Sequence, residues 1–471
     1  MNTPKAFCER FRLTWLLIML AGCGGGAGNQ VSSPPPSIHN DWTWVAGSNA
    51  INQIGTYGTE GTASAGAFPG ARAYPSSWTD LKGNLWLFGG YGPDTTRTSG
   101  DLNDLWEYSN GEWMWVAGSN QIEQAGTYGT KDVVGISNAP GARYQASSWV
   151  DVSGNFWIFG GLGIDSKGTR GNLNDLWKFT NGQWAWMAGS NVTDQAGIYG
   201  TRGVTDPTNS PGARVNAATW TDSVGNLWLF GGSGRDANGT PGILNDLWEY
   251  ANGQWTWVSG SNLVDRLGVY GTQGTGSVAN VPGARTNATG WTDASGNLWL
   301  FGGEGNDSNG LYCSQHPGPC LLNDLWEFHQ GQWTWVGGSN IVNHAGNYGT
   351  QDMASASNVP GARWGTTHCE DALGNLWLFG GEGLDSLGNF GDLNDLWKYA
   401  GGQWTWISGA DFANSTGSYG TVGTASASNA PVARDGAVLW CDLAGNVWLF
   451  AGEDVDIASG GKLNDLWKFR P

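Results

Sequence analysis

The tetrapeptide Asn-Asp-Leu-Trp recurs six times in this chain of 471 residues, and its spacing constrains the fold more than any other feature. Successive copies lie 71, 71, 78, 71 and 70 residues apart, and they start at Asn103, Asn174, Asn245, Asn323, Asn394 and Asn464. A period this regular is typical of repeat architectures, in which each copy packs against its neighbours. We therefore expect a residue present in every copy to serve the folding of the repeat.

Each repeat has the pattern of four β-strands. In the copy from Pro140 to Asn191, a first strand is predicted to run from Arg143 toward Asp151, and the other three are Phe156–Phe159, Leu173–Phe179 and Trp184–Met187. The pair Asn181-Gly182 is a strong signal for a two-residue hairpin between the last two strands. Four strands joined by short hairpins form one antiparallel sheet, and such sheets repeated in a ring form an all-β propeller.

The two ends of the chain predict how the ring closes. A fourth-strand motif begins at Trp42 with no strands before it, whereas the last copy, from Pro431 to Phe469, supplies only three strands. The segment Trp42–Val45 is therefore expected to complete the last blade. This closure gives six blades and removes the open edge of the sheet.

The order Leu-Trp-Leu-Phe-Gly-Gly, then Asn-Asp-Leu-Trp, then a downstream Trp resembles the kelch repeat, and it covers nearly all of the chain after residue 41. The resemblance implies a six-bladed kelch-type β-propeller with four antiparallel strands per blade. It also implies that the arginine opening each first strand lies near the mouth of the central channel. Those arginines are Arg72, Arg143, Arg214, Arg285, Arg363 and Arg434.

The N-terminus carries an export signal. Three basic residues precede an apolar stretch from Leu13 to Gly22, which is too short to span a membrane and is typical of a signal peptide. It ends in Leu-Ala-Gly followed by Cys23, which resembles a bacterial lipobox, although a chance cysteine at a cleavage site is the alternative. The resemblance implies that residues 1–22 are removed, that Cys23 is lipidated, for example with palmitate, and that residues 23–40 form a flexible linker to a propeller at 41–471. Gly24 in place of Asp favours the outer membrane, so we expect a lipid-anchored protein of the bacterial cell envelope.

Charge and cysteine usage agree with that setting. The formal net charge of -18 repels phosphate backbones, so nucleic acid is not expected as a partner. Cys313 and Cys320 lie in the one repeat that is longer than the others, and a local disulfide between them is predicted. Cys369 and Cys441 occupy neighbouring, non-equivalent strand positions and are expected to be free.

Most of the conspicuous residues have a structural explanation. Of the 31 tryptophans, 29 fall at framework positions where they can fill space between blades, and Trp364 is an exception. Each second-to-third loop holds an aspartate that could bind Ca²⁺, with an Asx-turn as the default explanation. These residues are Asp94, Asp165, Asp236, Asp307, Asp385 and Asp456.

A ligand without sixfold symmetry should require departures from the repeat. These departures concentrate in copies four to six, on the rim formed by the long loops, where binding sites usually lie. The candidate binding residues are Arg285, Arg363, Arg434, Glu304, Glu382, Glu453, Asp454, Trp364 and His368. Drift between repeats is the alternative explanation.

A non-catalytic binding module for a glycan or a protein, displayed on the envelope through an acyl anchor in the lipid bilayer, is the leading hypothesis. Only five histidines are present, and no pair of them has the spacing of a metal site, so neither a metal nor another cofactor is expected. The alternative, also suggested by the kelch resemblance, is a carbohydrate-active enzyme, either a mutarotase or epimerase or an oxidase.

Overall fold

The structure is a computed structural model, and it describes residues 40–309, 318–454 and 461–471. These residues form strands and turns and contain no helix. Within these ranges there is accordingly no helix long and apolar enough to cross a membrane. The predicted all-β class is confirmed for the part of the chain described.

The strands up to the third repeat are β1 (Asp41–Ala46), β2 (Ser76–Thr79), β3 (Leu85–Pro93), β4 (Ser99–Ser109), β5 (Glu112–Ala117), β6 (Arg143–Tyr144), β7 (Ser147–Val150), β8 (Phe156–Phe159), β9 (Leu162–Ile164), β10 (Arg170–Asn172), β11 (Leu176–Thr180), β12 (Gln183–Ala188), β13 (Arg214–Val215), β14 (Ala218–Thr221), β15 (Leu227–Phe230), β16 (Ser233–Arg235), β17 (Pro241–Ile243), β18 (Leu247–Ala251) and β19 (Gln254–Ser259). The remaining strands are β20 (Arg285–Thr286), β21 (Thr289–Thr292), β22 (Leu298–Gly305), β23 (Leu321–His329), β24 (Gln332–Gly337), β25 (Arg363–Trp364), β26 (Thr367–Glu370), β27 (Leu376–Leu384), β28 (Phe390–Ala400), β29 (Gln403–Ser408), β30 (Ala425–Ser426), β31 (Val438–Cys441), β32 (Val447–Phe450), β33 (Glu453–Asp454), β34 (Gly461–Lys462) and β35 (Leu466–Arg470).

The longer strands pair into antiparallel sheets of one four-stranded pattern. They are sheet I (β2-β3-β4-β5), sheet II (β7-β8-β11-β12), sheet III (β14-β15-β18-β19), sheet IV (β21-β22-β23-β24), sheet V (β26-β27-β28-β29) and sheet VI (β31-β32-β35-β1). The first strand of each sheet is β2, β7, β14, β21, β26 or β31. The two-residue strands β6, β13, β20 and β25 each begin at a repeat arginine and lie just before a first strand.

Sheet II shows how closely the sequence pattern predicts a sheet. Phe156–Phe159 is a strand with all four side chains buried, as its uniformly apolar sequence predicts. It ends at Gly160 and Gly161, whose positive φ angles of 64° and 95° turn the chain. The predicted third strand was too long at its start, because pairing with β8 begins only at Leu176.

The N-terminal strand completes the last sheet, as the ends of the sequence predict. β1 pairs antiparallel with β35, with Trp42 opposite Phe469 and Trp44 opposite Trp467. Trp42 is 1% exposed and packs against Phe379 of the preceding sheet. A segment distant in sequence from β35 therefore covers what would be an unpaired edge.

The first strands contact one another in cyclic order: β2 with β7, β7 with β14, β14 with β21, β21 with β26, β26 with β31 and β31 with β2. Their inward side chains line a common central channel. Between sheets, tryptophans fill the space, and some also bond across it. The Trp149 indole N–H, for example, donates to the Trp228 carbonyl oxygen at 2.9 Å. Each hydrophobic cluster accordingly joins residues of neighbouring sheets.

Candidate functional site

The repeat arginines are buried in ion pairs. Arg143 is 1% exposed, and its guanidinium makes two hydrogen bonds, of 2.7 and 2.8 Å, to the Asp175 carboxylate. It also donates to the carbonyl oxygens of Gly141 and Gly160. The same pairing recurs for Arg72, Arg214, Arg285, Arg363 and Arg434. The proposed binding role of Arg285, Arg363 and Arg434 therefore does not fit, because no guanidinium surface remains for a ligand.

The Asn-Asp-Leu-Trp motif completes this network. The Asp175 carboxylate also accepts hydrogen bonds from the Tyr128 hydroxyl at 2.6 Å and the Trp177 indole at 2.7 Å. Asn174 accepts the Ser190 N–H and donates to a backbone carbonyl. The motif is scaffolding, as its recurrence predicts. Its aspartate binds side chains, whereas its asparagine binds backbone groups.

The aspartates of the second-to-third loops form Asx-turns. Asp165 accepts the backbone N–H groups of Lys167 at 2.8 Å and Thr169 at 2.9 Å. Its other oxygen accepts the Thr193 N–H at 3.2 Å. Because both carboxylate oxygens already accept backbone hydrogen bonds, the Asx-turn accounts for the aspartate at this position in each described loop. Asp456 lies outside the described residues.

A ring of backbone hydrogen bonds joins the sheets just before the first strands. The residue two positions after each arginine has a positive φ: Tyr74, Gln145, Asn216, Asn287, Gly365 and Gly436. Successive members bond N–H to carbonyl at every step of the ring except between Gly365 and Asn287, as from Gln145 to Tyr74 at 3.0 Å, and Tyr74 donates to Gly436 at 2.7 Å. These residues line a cavity of about 140 Å³ at the centre of the ring. These six positions are therefore the innermost point of each repeat.

Two glycines in this ring make room for a tyrosine and an aspartate. A Cβ on Gly436 would lie 2.8 Å from the Tyr74 ring, and a Cβ on Gly365 would lie 3.3 Å from Asp435. The Tyr74 hydroxyl donates a hydrogen bond to the Asp435 carboxylate. Side chains at positions 365 and 436 would therefore displace this pair.

Further carboxylates surround Asp435. Burial raises the pKa of Asp435 to about 7; the Tyr74 hydrogen bond lowers it, and the Glu453 and Glu382 carboxylates raise it. Burial also raises the pKa of Glu382, with a further rise from Glu304. The Trp364 indole donates to Glu382 and opposes that shift. We call Tyr74, Trp364, Glu382, Asp435 and Glu453 the axial cluster.

Aromatic and basic side chains continue from the axial cluster. The Lys462 ammonium lies 3.4 Å from Glu453 and 4.9 Å from the centre of the Tyr91 ring. Tyr91 in turn packs against Tyr144, with ring centres 5.5 Å apart. Sheets V, VI, I and II thus carry polar and aromatic groups around the centre. The corresponding positions of sheet III are Val215 and Ser233.

Other predicted site residues lie elsewhere. His368 lines the channel within first strand β26, and burial lowers its pKa to about 4. In the same strand, the Glu370 side chain is exposed to the channel. Desolvation by the residues that line the channel raises the pKa of its carboxyl group to about 7. Asp454 is 7% exposed in β33. Of the predicted binding residues, Glu382, Glu453 and Trp364 lie together in the axial cluster, and Glu304 lies beside Glu382.

The cysteine prediction requires a correction. Cys369 and Cys441 are not free but form a disulfide with an S–S distance of 2.04 Å. It links first strands β26 and β31, which lie side by side, and this proximity is the physical reason for the pairing. Cys320 is buried, but its predicted partner Cys313 lies outside the described residues, as does the lipidation candidate Cys23.

Tyr74 and Asp435 were absent from the predicted site. Each nevertheless carried a sequence signal: Tyr74 is the only aromatic residue at its ring position, and Asp435 is the only acidic residue directly after a repeat arginine. The glycines at 365 and 436 depart from the polar residues at that position in the other repeats. Comparing repeats at the positions around the arginine would have found all four.

Comparison with known proteins gives structural matches only. No known family profile matches the sequence, and no curated protein sequence matches it. Among solved structures, the structure of YjhT matches with a TM-score of 0.48 and 13% identity over 85% of this chain and 95% of that chain. A fungal alcohol oxidase of the AA5 family, in complex with copper, matches with a TM-score of 0.46 and 10% identity over 88% and 77% of the two chains. Likenesses this distant do not support an inference about function.

The donor set does not fit a copper centre in the described residues. No group of three or more His, Cys, Asp or Glu side chains there is arranged to hold a metal ion. His329 ends strand β23, His344 lies in a connection and His368 faces the channel. Such a centre would need two convergent imidazoles.

Proposed function

We propose that this chain is a six-bladed kelch-type propeller that binds a glycan at the axial cluster. The propeller assignment is supported by the repeated sheets, the cyclic contacts of the first strands and the pairing of β1 with β35. The binding assignment is supported chiefly by one observation: Tyr74 and Asp435 meet over two glycines, with Glu382 and Glu453 beside them.

The chemistry of the cluster suits a polyhydroxylated ligand. Carboxylate oxygens accept hydrogen bonds, and vicinal hydroxyls of a sugar can supply them in pairs. Trp364 is partly exposed beside Glu382, so an aromatic surface accompanies these acceptors. Such a combination of a few polar groups with aromatic surface is typical of small-ligand sites.

The charge of the site narrows the glycan class. Several carboxylates converge on a protein whose formal net charge is -18. Sialic and uronic acids would meet like charge, whereas neutral or amino sugars would not. We therefore propose a neutral or amino-substituted glycan.

A second candidate function is proton transfer on a sugar, as in a mutarotase or epimerase. Asp435 favours it, because a carboxyl group that titrates near neutral pH beside other carboxylates suits general acid–base catalysis. Tyr74 would then orient Asp435 or relay its proton. Turnover of the bound sugar separates this function from simple binding.

We also propose that the protein is anchored to the bacterial envelope, in the outer membrane, by acyl chains on Cys23. The Cys369–Cys441 disulfide supports an exported location, because disulfides persist in oxidising compartments. Mass spectrometry of the protein purified from membranes should give the lipidated Cys23, and Cys23→Ser should release the protein. A lipid-free N-terminus would contradict the anchor.

Binding is tested with a panel of neutral, amino and acidic glycans. Glu382→Gln and Trp364→Ala should each weaken binding of the retained sugar at least about tenfold, since each removes a direct contact. Ser233→Ala is the matched control, because Ser233 occupies the position of Glu382 in sheet III, away from the cluster. Retention of acidic glycans alone, or of a protein partner but no sugar, would contradict the proposal. NMR of the bound sugar would detect any interconversion.

A further inference from the structure

The face of the protein opposite the long loops carries an exposed apolar collar. The collar consists of five aliphatic side chains with exposed fractions between 61% and 75%: Leu81, Val152, Val224, Leu373 and Leu443. Each lies at the tip of the short turn that follows a first strand. Because the first strands surround the channel, these turns surround its mouth. Leu443 lies against the turn of sheet I at Gly83, and Leu81 lies against that of sheet II at Gly154.

The turns themselves do not require apolar tips. In sheet VI, the Asp442 carboxylate accepts the backbone N–H groups of Ala444 and Asn446, both at 2.9 Å, and the Trp448 indole N–H at 2.8 Å. These bonds define the turn and hold its carboxylate away from the tip. Leu443 contributes nothing to these bonds, so the turn does not require an apolar residue at this position. Repeated exposed aliphatic residues around one rim indicate a contact surface.

The chain enters the sheet from this same face. One row of paired residues crosses sheet VI at the end where the collar turn lies. In this row Cys441 pairs with Val447, Val447 with Phe469, and Phe469 with Trp42. Asp41 lies one residue beyond Trp42, opposite Arg470, and thus on the collar side. The sixteen residues between Cys23 and Asn40 can span at most about 60 Å. An acyl chain on Cys23 would therefore be joined to the protein from the collar side.

We propose that the apolar collar docks on the surface of the lipid bilayer and turns the axial cluster away from the membrane. The proposal rests on the acyl anchor proposed above and adds an orientation to it. Aliphatic side chains of this kind enter the boundary between headgroups and acyl chains to a depth of about 5–10 Å. The net charge of -18 disfavours anionic lipid, so the surface that fits is zwitterionic.

The test places an environment-sensitive fluorophore on each face of the full lipidated protein in phosphatidylethanolamine–phosphatidylcholine vesicles. One label is attached at Leu443→Cys, and the other at Leu387→Cys, a leucine that is 82% exposed in a second-to-third loop on the opposite face. We expect a blue shift and quenching by spin-labelled lipid at position 443, and neither at position 387. Replacing Leu81, Val152 and Leu373 by Ser should reduce quenching at position 443 to the level at 387 while the protein stays on the vesicles.

The outcomes separate the docking of the collar from the acyl anchor. Equal quenching at both positions in protein that floats with the vesicles overturns the docking and leaves the anchor intact. Failure to float overturns the anchor, and the docking with it. A blue shift that grows with protein concentration and is insensitive to spin-labelled lipid would assign the collar to contact between copies of the chain, and would also overturn the proposal.

Discussion

The disulfide between sheets V and VI replaces a contact that other neighbouring sheets make with tryptophan. Trp149, Trp220 and Trp440, each six residues after a repeat arginine, donate their indole N–H to a carbonyl of the next sheet. Cys369 occupies this position in sheet V and bonds to Cys441. Removing the disulfide should therefore weaken the packing of sheet V against sheet VI.

The magnitude follows from the length of chain that the bond closes. The two cysteines are 72 residues apart in sequence. Closing a loop of this length lowers the entropy of the unfolded chain enough to stabilise the fold by about 4.4 kcal/mol. For about 430 residues the entropy of unfolding is about 0.9 kcal/mol/K, so the Tm should fall by about 5 °C.

The assay is thermal unfolding of the wild type and of the double variant Cys369→Ala, Cys441→Ala, each with and without a reductant. The wild type should lose about 5 °C on reduction, and the oxidised double variant should start near that lower value. Any response of the double variant to reductant measures other disulfides and is subtracted. A double variant as stable as the oxidised wild type would refute the reasoning.

A second double variant tests the replacement directly. Cys369→Trp with Cys441→Thr restores the residues that sheet III has at these positions, Trp220 and Thr221. An indole at position 369 could donate to the neighbouring sheet and recover packing area. We expect this variant to be more stable than the double alanine variant. Equal stability would mean that the two contacts are not equivalent.

Three further outcomes are expected. Asp175→Ala leaves the buried Arg143 unpaired and should lower the free energy of unfolding by about 3–5 kcal/mol in denaturant titrations, whereas a loss below about 1 kcal/mol would contradict the structural role of the pair. Deleting Asp41–Ala46 exposes the edge of β35 and should lower the Tm and promote self-association in light scattering; a monomer of unchanged Tm would contradict the closure. Because the pKa of Asp435 is raised to about 7, the folded protein keeps this proton after the unfolded chain has lost it. Stability should therefore fall by up to about 1.4 kcal/mol for each pH unit as pH rises from about 4 to 7. Asp435→Asn should reduce this slope and leave the part that Glu370 contributes, because the pKa of Glu370 is also raised to about 7, whereas the exposed Asp132→Asn should keep the full slope. Equal slopes in both variants would refute the assignment.

Local signals in the sequence were enough to predict the four main strands of each sheet, apart from the start of the third strand. The apolar run Phe156–Phe159 ends at two glycines, and Asn181-Gly182 joins the last two strands of the same sheet. Such signals act over a few residues, so they do not depend on how the sheets pack. The pairing of β1 with β35 was also predictable, because counting strands left one sheet incomplete at each end of the chain.

The site was less predictable, because its residues meet only through the arrangement of the sheets. Tyr74 and Asp435 are 361 residues apart and touch because the first and last sheets are neighbours. The arginines looked available to a ligand because the sequence does not show that an aspartate 31 to 39 residues later faces each of them, as Asp104 faces Arg72. Cys369 and Cys441 looked unrelated because the repeat gives no register between one sheet and the next.

In and just before the first strand, some positions hold the same residue in nearly every repeat and serve the fold, whereas others differ between repeats and form the site. The arginine and, except at Cys369, the tryptophan six residues later are the same in every repeat, because both are fixed by contacts inside or between sheets. The residues one and two positions after the arginine lie at the centre of the ring, where packing demands less of a side chain. There, sheets V and VI differ most from the rest: they have Trp364 and Gly365 in one and Asp435 and Gly436 in the other. The disulfide and the axial cluster thus occur at the same junction between sheets. A covalent bond there would fix the spacing of β26 and β31, and with it the distance between Glu382 and Asp435, at the one junction where a cysteine replaces the tryptophan of the repeat.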